Sequence, residues 1–246
     1  ATGVYAPSGL AGKFSTTNDY IKIPHDETFD EFQRCDDWGI SFWFNPLEPN
    51  SPKAGVLISK YTSVTETFYD PIAGIQKVRD VNKPTPSPLE LDKNRTPFHI
   101  VHKDAQIHYI ASDGTNQLHI SASVKPSLLM DGWAHVFIRN GENQCKIYVN
   151  GVASGTSGSI SRESTANYAN VLIGTDSIKG PGTTNSNSYG GELAEIRTYS
   201  YALNDAEIES LANMILELKL DPTPESKKAI QSLQQQIDMI IKDEVR

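Results

Sequence analysis

The sequence predicts an all-β protein, a two-sheet sandwich with a helical tail at its C-terminal end. Several short segments alternate strictly between apolar and polar residues, and turn-forming residues separate these segments. Helical periodicity is almost absent before residue 204. A period of two is typical of half-buried antiparallel strands. Many such strands without intervening helices favour two packed sheets.

The alternation predicts which side chains of three strands face the core. These residues are Ile40, Phe42 and Phe44, then Ala134, Val136 and Ile138, and finally Cys145, Ile147 and Val149. Asn140-Gly141 and Asn150-Gly151 are predicted to form tight hairpin turns, because glycine adopts a positive φ without a Cβ clash.

The motifs follow one another in the order found in a known family. They lie at residues 12–24, 39–46, 56–61 and 131–211, the last opening with Trp-x-His-Val and closing with Gly-x-Leu-x-Glu-Ile-Arg-x-Tyr. Over roughly residues 9–213 the chain resembles a laminin-G-like domain, a concanavalin A-like and pentraxin-related lectin sandwich. The resemblance implies a jelly-roll fold, in a family that mostly recognises surfaces and seldom performs chemistry.

Residues 1–213 are therefore expected to form the sandwich, and residues 214–246 a helical tail. The sandwich contains an insertion at about residues 62–97, whose Pro84, Pro86 and Pro88 deny donors to a strand ladder and favour extended geometry. Two interpretations stay open, a surface loop without its own structure or an arm that contacts a neighbouring subunit or partner.

The tail region predicts two helices. Asn204 and Glu207 have the spacing of a capping box, and Pro224 suits the first turn of a second helix. The second helix has an apolar stripe at a and d spacing, formed by Ile230, Leu233, Ile237 and Ile240. This stripe either packs on its own sandwich or makes the chain self-associate. For self-association we expect a trimer first and a dimer second.

Composition excludes some partners. The 246 residues carry a net charge of −8, which argues against nucleic acid and anionic membranes as ligands. No run of 18 apolar residues occurs, so no membrane insertion is expected. The N-terminus lacks secretory signal features, so either a signal was removed or the protein is made in a cytoplasm. Cys35 and Cys145 form a disulfide, or Cys145 is a buried thiol.

The sequence carries little sign of catalysis. Paired carboxylates of the Glu-x-Asp-x-x-Glu type, expected in glycoside hydrolases of this fold, are absent from the sequence. Gln106-Ile107-His108 matches one strand of the alginate-lyase-like members, but their accompanying Arg-rich and Tyr-x-Lys-x-Gly strands are missing. We therefore predict a non-enzymatic protein and keep a polysaccharide-active enzyme as the alternative.

Calcium is the ion that the resemblance implies, although relatives place an Asp where this chain has Ala194. Asp19, Asp113 and Asp176 are the remaining candidates, and no metal site is assigned. For a glycan, amide and carboxylate groups beside an aromatic ring are needed. Within residues 176–189 the candidate ligand-binding residues are Asp176, Asn185, Asn187 and Tyr189. The same loop is also explained as a flexible connection.

Two functions follow from these features. The first is a structural or display protein, a phage virion decoration, fibre or tail component that contacts neighbouring structural proteins and binds host or surface glycans. The resemblance supports it by analogy, because phage structural proteins commonly carry such domains. The alternative is a secreted lectin module that binds a glycan or receptor. We expect the protein on a virion surface or outside the cell.

Overall fold

The computed structural model describes residues 5–6, 9–25, 37–61, 64–70, 75–81, 95–113, 115–141, 144–158, 167, 169–176 and 187–220. Its sixteen strands are β1 (Tyr5–Ala6), β2 (Gly9–Leu10), β3 (Gly12–Phe14), β4 (Ile21–Ile23), β5 (Trp38–Pro46), β6 (Gly55–Ser59), β7 (Val64–Asp70), β8 (Ile75–Val81), β9 (Arg95–Lys103), β10 (Gln106–Asp113), β11 (Gln117–Ser123), β12 (Ala134–Gly141), β13 (Gln144–Val149), β14 (Val152–Gly158), β15 (Val171–Ile173) and β16 (Gly191–Tyr199). A short 3-10 helix spans Pro126–Leu128, and the α-helix α1 spans Asp205–Leu220.

Two antiparallel six-stranded sheets form the sandwich, as predicted. One sheet has the order β14-β13-β12-β5-β16-β3, and we call it the helix-bearing sheet. The opposite sheet has the order β11-β10-β9-β6-β15-β4. Neighbouring strands in each sheet are mostly distant in sequence, which is the topology of a jelly roll. Strands β1 and β2 form a separate two-stranded ribbon.

The core lies between the two sheets, and the predicted strand facing is confirmed. Ile40, Phe42 and Phe44 of β5 belong to one buried apolar cluster. This cluster also contains Ala134, Val136, Ile138, Cys145, Ile147 and Val149. The opposite sheet contributes side chains such as Ile100, Ile107 and Tyr109. Cys35 lies outside the described residues, so the choice between a buried thiol and a disulfide stays open.

One of the two predicted hairpin turns is displaced. Asn150 and Gly151 have φ of 51° and 81°, and they connect β13 to β14 as expected. Asn140 and Gly141, however, pair with Cys145 and Gln144 inside the β12–β13 ladder, so they do not form the turn. A Cβ on Gly141 would lie 2.9 Å from Ala202 Cβ and from Asp37 Oδ1. Glycine at this position therefore permits close packing of the chain rather than a turn.

The predicted capping box begins helix α1. The Asn204 amide donates to Glu207 Oε2 at 2.7 Å, and the Glu207 amide donates to Asn204 Oδ1 at 3.0 Å. Ile208 is fully buried in a cluster with Phe137 and Tyr148, so the first turns of the helix pack on the helix-bearing sheet. Helix α1 continues past residue 213, the proposed end of the sandwich domain. No helix in the described part of the chain is long and apolar enough to cross a membrane.

The insertion at about residues 62–97 contains a hairpin that was not predicted from the sequence. Strand β7 pairs with β8 along its whole length, from Val64 with Val81 to Asp70 with Ile75, as a separate two-stranded sheet. The three prolines lie outside the described residues, as does the apolar stripe of Ile230, Leu233, Ile237 and Ile240. Self-association through that stripe stays a prediction.

Candidate functional site

A pocket of about 220 Å³ opens at the end of the sandwich where β3, β5 and β9 finish and β6 and β16 begin. Four separate segments of the chain supply its walls. They are the turn after β3, the loop from β5 to β6, the last residues of β9 and the approach to β16. The lining residues are Ser15, Thr16, Thr17, Leu47, Glu48, Ser51, Lys53, Gly55, His102, Ser188, Tyr189 and Gly190.

Asp19 organises the first wall. Its Oδ2 accepts from the backbone N–H groups of Ser15 and Thr16, each at 2.7 Å, and this closes a tight turn after β3. The hydrogen bond from the Ser15 amide is the main reason that the pKa of the Asp19 carboxyl is lowered. The turn brings three hydroxyl-bearing residues to the pocket, Ser15, Thr16 and Thr17.

Backbone hydrogen bonds fix the opposite wall, at residues 187–190. The Val56 amide donates to the Asn187 carbonyl and the Tyr189 amide donates to the Gly174 carbonyl, both at 2.9 Å. The Ser188 hydroxyl donates to the Thr17 carbonyl at 2.7 Å, which joins this wall to the first. A Cβ on Gly55 would lie 3.0 Å from the Tyr189 Cα, so glycine lets the two segments approach.

The predicted ligand-binding residues lie in and behind this wall. Asn187 Nδ2 donates to Asp176 Oδ2 at 2.8 Å, so the structure brings these two side chains together as a buried pair. Tyr189 borders the pocket, with its ring buried against Phe14 at 6.2 Å between centroids. Asn185 lies outside the described residues. Asp176, Asn187 and Tyr189 thus shape the wall, and their direct contact with a ligand stays a prediction.

His102 is a buried polar residue of the pocket, and it was not singled out from the sequence. Its imidazole is 3% exposed and packs 5.7 Å from the Phe44 ring. One ring N–H donates to the Pro49 carbonyl, while Nε2 has no hydrogen-bond partner among the described residues. The donating atom is therefore Nδ1, which leaves Nε2 with a lone pair and no proton.

Burial lowers the pKa of His102 to about 4, so the ring is neutral at pH 7. Its Nε2 then acts only as a hydrogen-bond acceptor. A signal for this residue was present in the sequence. His102 follows Phe98 and Ile100 at the spacing of two that marks the core-facing side of β9. A histidine on that side at a strand end indicates a buried polar group.

The rim of the pocket is exposed and mixed in character. Leu47 is 74% exposed and offers an apolar surface, whereas Glu48 and Lys53 bring one charge of each sign. Ser51 is half-buried, and its carbonyl accepts from the Asp104 amide at 2.9 Å. Hydroxyl groups, one neutral imidazole and a single apolar side chain together suit a small polar ligand with several hydroxyl groups.

The described residues contain no group of three or more His, Cys, Asp or Glu side chains placed to hold a metal ion. The candidate carboxylates have other roles in this structure. Asp19 closes its own turn, and Asp113 Oδ1 accepts from the Thr115 and Asn116 amides at 2.7 and 2.6 Å. Asp176 accepts from Asn187.

The Gln106-Ile107-His108 segment lies on β10, where Ile107 pairs with His102 of the pocket, but the segment does not itself line the pocket. Ile107 points into the core, and His108 lies on the outer face of the opposite sheet. His108 Nδ1 lies 3.1 Å from His119 Nε2, within hydrogen-bonding distance. Burial, with a smaller contribution from His119, lowers the pKa of His108 to about 4. The contact with His119 therefore supplies a hydrogen-bond partner for the neutral imidazole of His108.

Three solved structures are examples of a similar fold. The CBM40 domain of the Ruminococcus gnavus IT-sialidase, bound to alpha2,3 sialyllactose, matches with a TM-score of 0.55 and 15% identity over 82% of this chain and 96% of that chain. The binding domain of botulinum neurotoxin serotype C1 matches with a TM-score of 0.51 and 16% identity over 79% of this chain. A leech intramolecular trans-sialidase matches with a TM-score of 0.55 and 16% identity over 81%.

The chain spans 40% of the neurotoxin chain and 26% of the trans-sialidase chain. At these identities the likeness shows the fold alone. No curated protein matches the sequence. The family model described as the concanavalin A-like lectin/glucanases superfamily matches residues 15–209. That span covers the pocket and every strand of the two six-stranded sheets except β3, and the chain belongs to this superfamily.

Proposed function

We propose that this chain is a non-catalytic glycan-binding domain whose ligand occupies the pocket at residues 15–17, 47–55, 102 and 188–190. The observation that carries the proposal is His102 Nε2, a buried acceptor without a partner among the described residues. A buried polar atom costs stability unless a hydrogen bond compensates for its desolvation. A ligand hydroxyl supplies that hydrogen bond.

The size and lining of the pocket support the same ligand class. At about 220 Å³ it is smaller than the roughly 300–1,000 Å³ of pockets that enclose drug-sized molecules. It therefore suits one ring-sized group at the end of a longer chain. Ser51 brings a half-buried hydroxyl group to the pocket for a sugar hydroxyl, whereas the side chains of Ser15 and Thr16 are hydrogen-bonded to Asp19. Leu47 offers a surface for the C–H groups of a sugar ring.

Related folds support binding over catalysis. The CBM40 domain was solved with sialyllactose bound, and the matching neurotoxin structure is of a binding domain. Among the described residues that line the pocket, Glu48 and His102 are the candidates for an acid–base pair. Glu48 lies on the exposed rim, whereas His102 is held neutral by burial and bonded to Pro49. A polysaccharide-active enzyme is the weaker alternative.

The proposal extends to a display role, in which the sandwich is carried on a larger assembly such as a phage virion. Its support is the C-terminal region. Helix α1 runs over 16 residues, from Asp205 to Leu220, and the sequence after it has an apolar stripe at a and d spacing that needs a partner. Self-association, as a trimer or otherwise a dimer, would present several copies of one weak glycan site together. A secreted lectin module is the second interpretation of the same site.

A glycan array with the labelled full-length protein tests the proposal. Ser51→Trp places a bulky ring at the half-buried rim of the pocket. Two matched variants make the same change elsewhere, Ser121→Trp on the exposed outer face of the opposite sheet and Ser154→Trp on the far edge strand β14. All three should keep the melting temperature of the parent protein, since none replaces a core residue.

We expect the parent protein to bind a defined set of glycans, and Ser51→Trp alone to abolish binding. Loss of binding in Ser121→Trp instead would place the site on the outer face of the opposite sheet. Binding to no glycan would overturn the proposed function. Chemical change of a bound glycan during incubation, detected by mass spectrometry, would favour the enzymatic alternative.

A further inference from the structure

We infer that the sugar held in this pocket is a neutral one, and that it donates a hydroxyl hydrogen to His102 Nε2. The inference rests on the proposed function and names the ligand class of the same site. Such a sugar differs from the ligand bound to the CBM40 domain, sialyllactose, whose terminal sugar is acidic.

The position of the proton on the His102 ring decides which ligand groups can form a hydrogen bond with Nε2. Its Nδ1–H is used by the Pro49 carbonyl, so Nε2 presents only a lone pair. An ionised carboxylate also presents only lone pairs, and the two groups repel when they meet. A sugar hydroxyl carries a hydrogen to donate. Any group that reaches the buried nitrogen must therefore be a donor, which excludes a carboxylate at that position.

The charges around the pocket disfavour an acidic sugar elsewhere in it as well. Glu48 and Lys53 line the pocket with opposite charges. Asp19 lies in the first wall, and the backbone of Asp104 is bonded to Ser51. Lys103 Nζ lies 3.9 Å from Asp104 Oδ2, so these two side chains form an ion pair. With these neighbours the local balance is negative, which raises the cost of bringing in an anion.

The described residues that line the pocket include no arginine. Arginine is the side chain best suited to carboxylate recognition, because its planar fork forms two parallel hydrogen bonds. Lysine provides a point charge without that geometry, and Lys53 is exposed to solvent on the rim. Serine and threonine, which make up five of the twelve lining residues, can donate hydrogen bonds to neutral hydroxyl groups and accept hydrogen bonds from them.

Matched glycans test the inference directly. The probes are lactose and 3′-sialyllactose, and N-acetyllactosamine with and without terminal sialic acid, titrated by calorimetry into the full-length protein. Methyl glycosides that lack single hydroxyls then locate the donor. We expect each neutral glycan to bind at least tenfold more tightly than its sialylated partner. If neither of these neutral glycans is a ligand, the same difference is expected between a neutral glycan identified on the array and its own sialylated form.

Variants of His102 test whether the preference for neutral glycans depends on Nε2. His102→Leu should weaken neutral-glycan binding at least tenfold, whereas His102→Gln, which offers both a donor for Pro49 and an acceptor, should restore most of it. One deoxy sugar should bind the parent weakly and lose nothing further in His102→Leu. Circular dichroism confirms that each variant is folded. If His102→Leu is unfolded, the deoxy series with the parent protein decides alone.

The outcomes separate this inference from the proposed function. Tighter binding of the sialylated glycans, sensitive to Ser51→Trp, overturns the neutral-sugar inference and leaves the glycan-binding proposal standing. Equal binding of all deoxy sugars also overturns it, because no hydroxyl would then be donated to His102. If no glycan on the array binds, both the neutral-sugar inference and the proposed glycan-binding function are overturned.

Discussion

The middle and the open end of the sandwich are built from the same strands, but the middle is lined by apolar side chains and the open end by polar ones. In the middle, Phe42 of β5 and Ile100 of β9 are fully buried among apolar side chains. Two residues further along β9, the neutral His102 lines a pocket, and its buried Nε2 has no hydrogen-bond partner among the described residues. The contrast shows that this fold gains stability from side-chain packing in one region, whereas in the other a buried nitrogen has no hydrogen-bond partner in the described part of the chain.

The largest expected effect is on the middle of the sandwich. Phe42→Ala should lower the free energy of unfolding by about 3–5 kcal/mol, because it leaves a cavity among packed side chains. Val136→Asp should prevent folding, since it buries a charge. Val152→Ala is the control, because Val152 is 66% exposed. Denaturant titration measures all three. A Phe42→Ala result as small as the control would contradict the assigned strand facing.

Acid should weaken the two regions through their buried histidines. The pKa of His102 is lowered to about 4 and that of His135 to about 3, in both cases mainly by burial. The unfolded chain binds protons at these residues below about pH 6.5, whereas the folded chain stays unprotonated. Stability is therefore complete above pH 6.5 and falls between pH 6.5 and 4. The loss should reach up to about 3 kcal/mol for each residue.

Urea titrations at pH 7, 5.5 and 4.5 measure this slope. His102→Gln should reduce the loss of unfolding free energy between pH 7 and 4.5 by the contribution of one histidine, because glutamine does not titrate. A slope that is the same in this variant and the parent would show that His102 is not held neutral by the fold.

A smaller effect is expected at the start of helix α1. Asn204→Ala removes the acceptor for the Glu207 amide and should cost about 1 kcal/mol. Glu209→Ala, on an exposed position of the same helix, is the control. Thermal unfolding compares them, and equal melting temperatures would show that the capping box does not contribute to stability.

The smallest effect on the sandwich itself should come from the tail. Leu233→Asp combined with Ile237→Asp should dissociate the oligomer while the melting temperature of the sandwich stays unchanged. Sedimentation velocity measures the association state, with Ser154→Trp as a control that leaves the tail intact. A parent protein that is monomeric at micromolar concentration, with a tail resistant to protease, would contradict self-association through the stripe.

How far the sequence predicts this molecule depends on how local the determining interactions are. The strand facing of Ile40, Phe42 and Phe44 follows from neighbours two residues apart, and the capping box from neighbours three residues apart. Both are confirmed. The position of Asn140-Gly141 was misassigned, because glycine was interpreted as a turn signal when it makes room for Ala202, a residue distant in sequence.

The pocket was predicted only in part for the same reason. The region that ends at Tyr189 was expected to hold a ligand, and it does supply one wall. Ser15, Pro49 and His102 come from three other segments, and no local pattern predicts that they meet. The β7–β8 hairpin was also missed, since its strands lie in a segment interpreted from its prolines as irregular.

The most direct test of the pocket as the ligand site is nitrogen NMR of the histidine side chains, recorded while a glycan identified on the array is added. His102 and His135 are both buried, but only His102 lines the pocket, whereas His135 packs on Trp43 at 5.1 Å between ring centroids. We predict that the Nε2 resonance of His102 shifts towards the hydrogen-bonded range in proportion to occupancy, while that of His135 does not move. A saturating glycan that leaves the His102 resonance in place would contradict the assignment of this pocket as the ligand site.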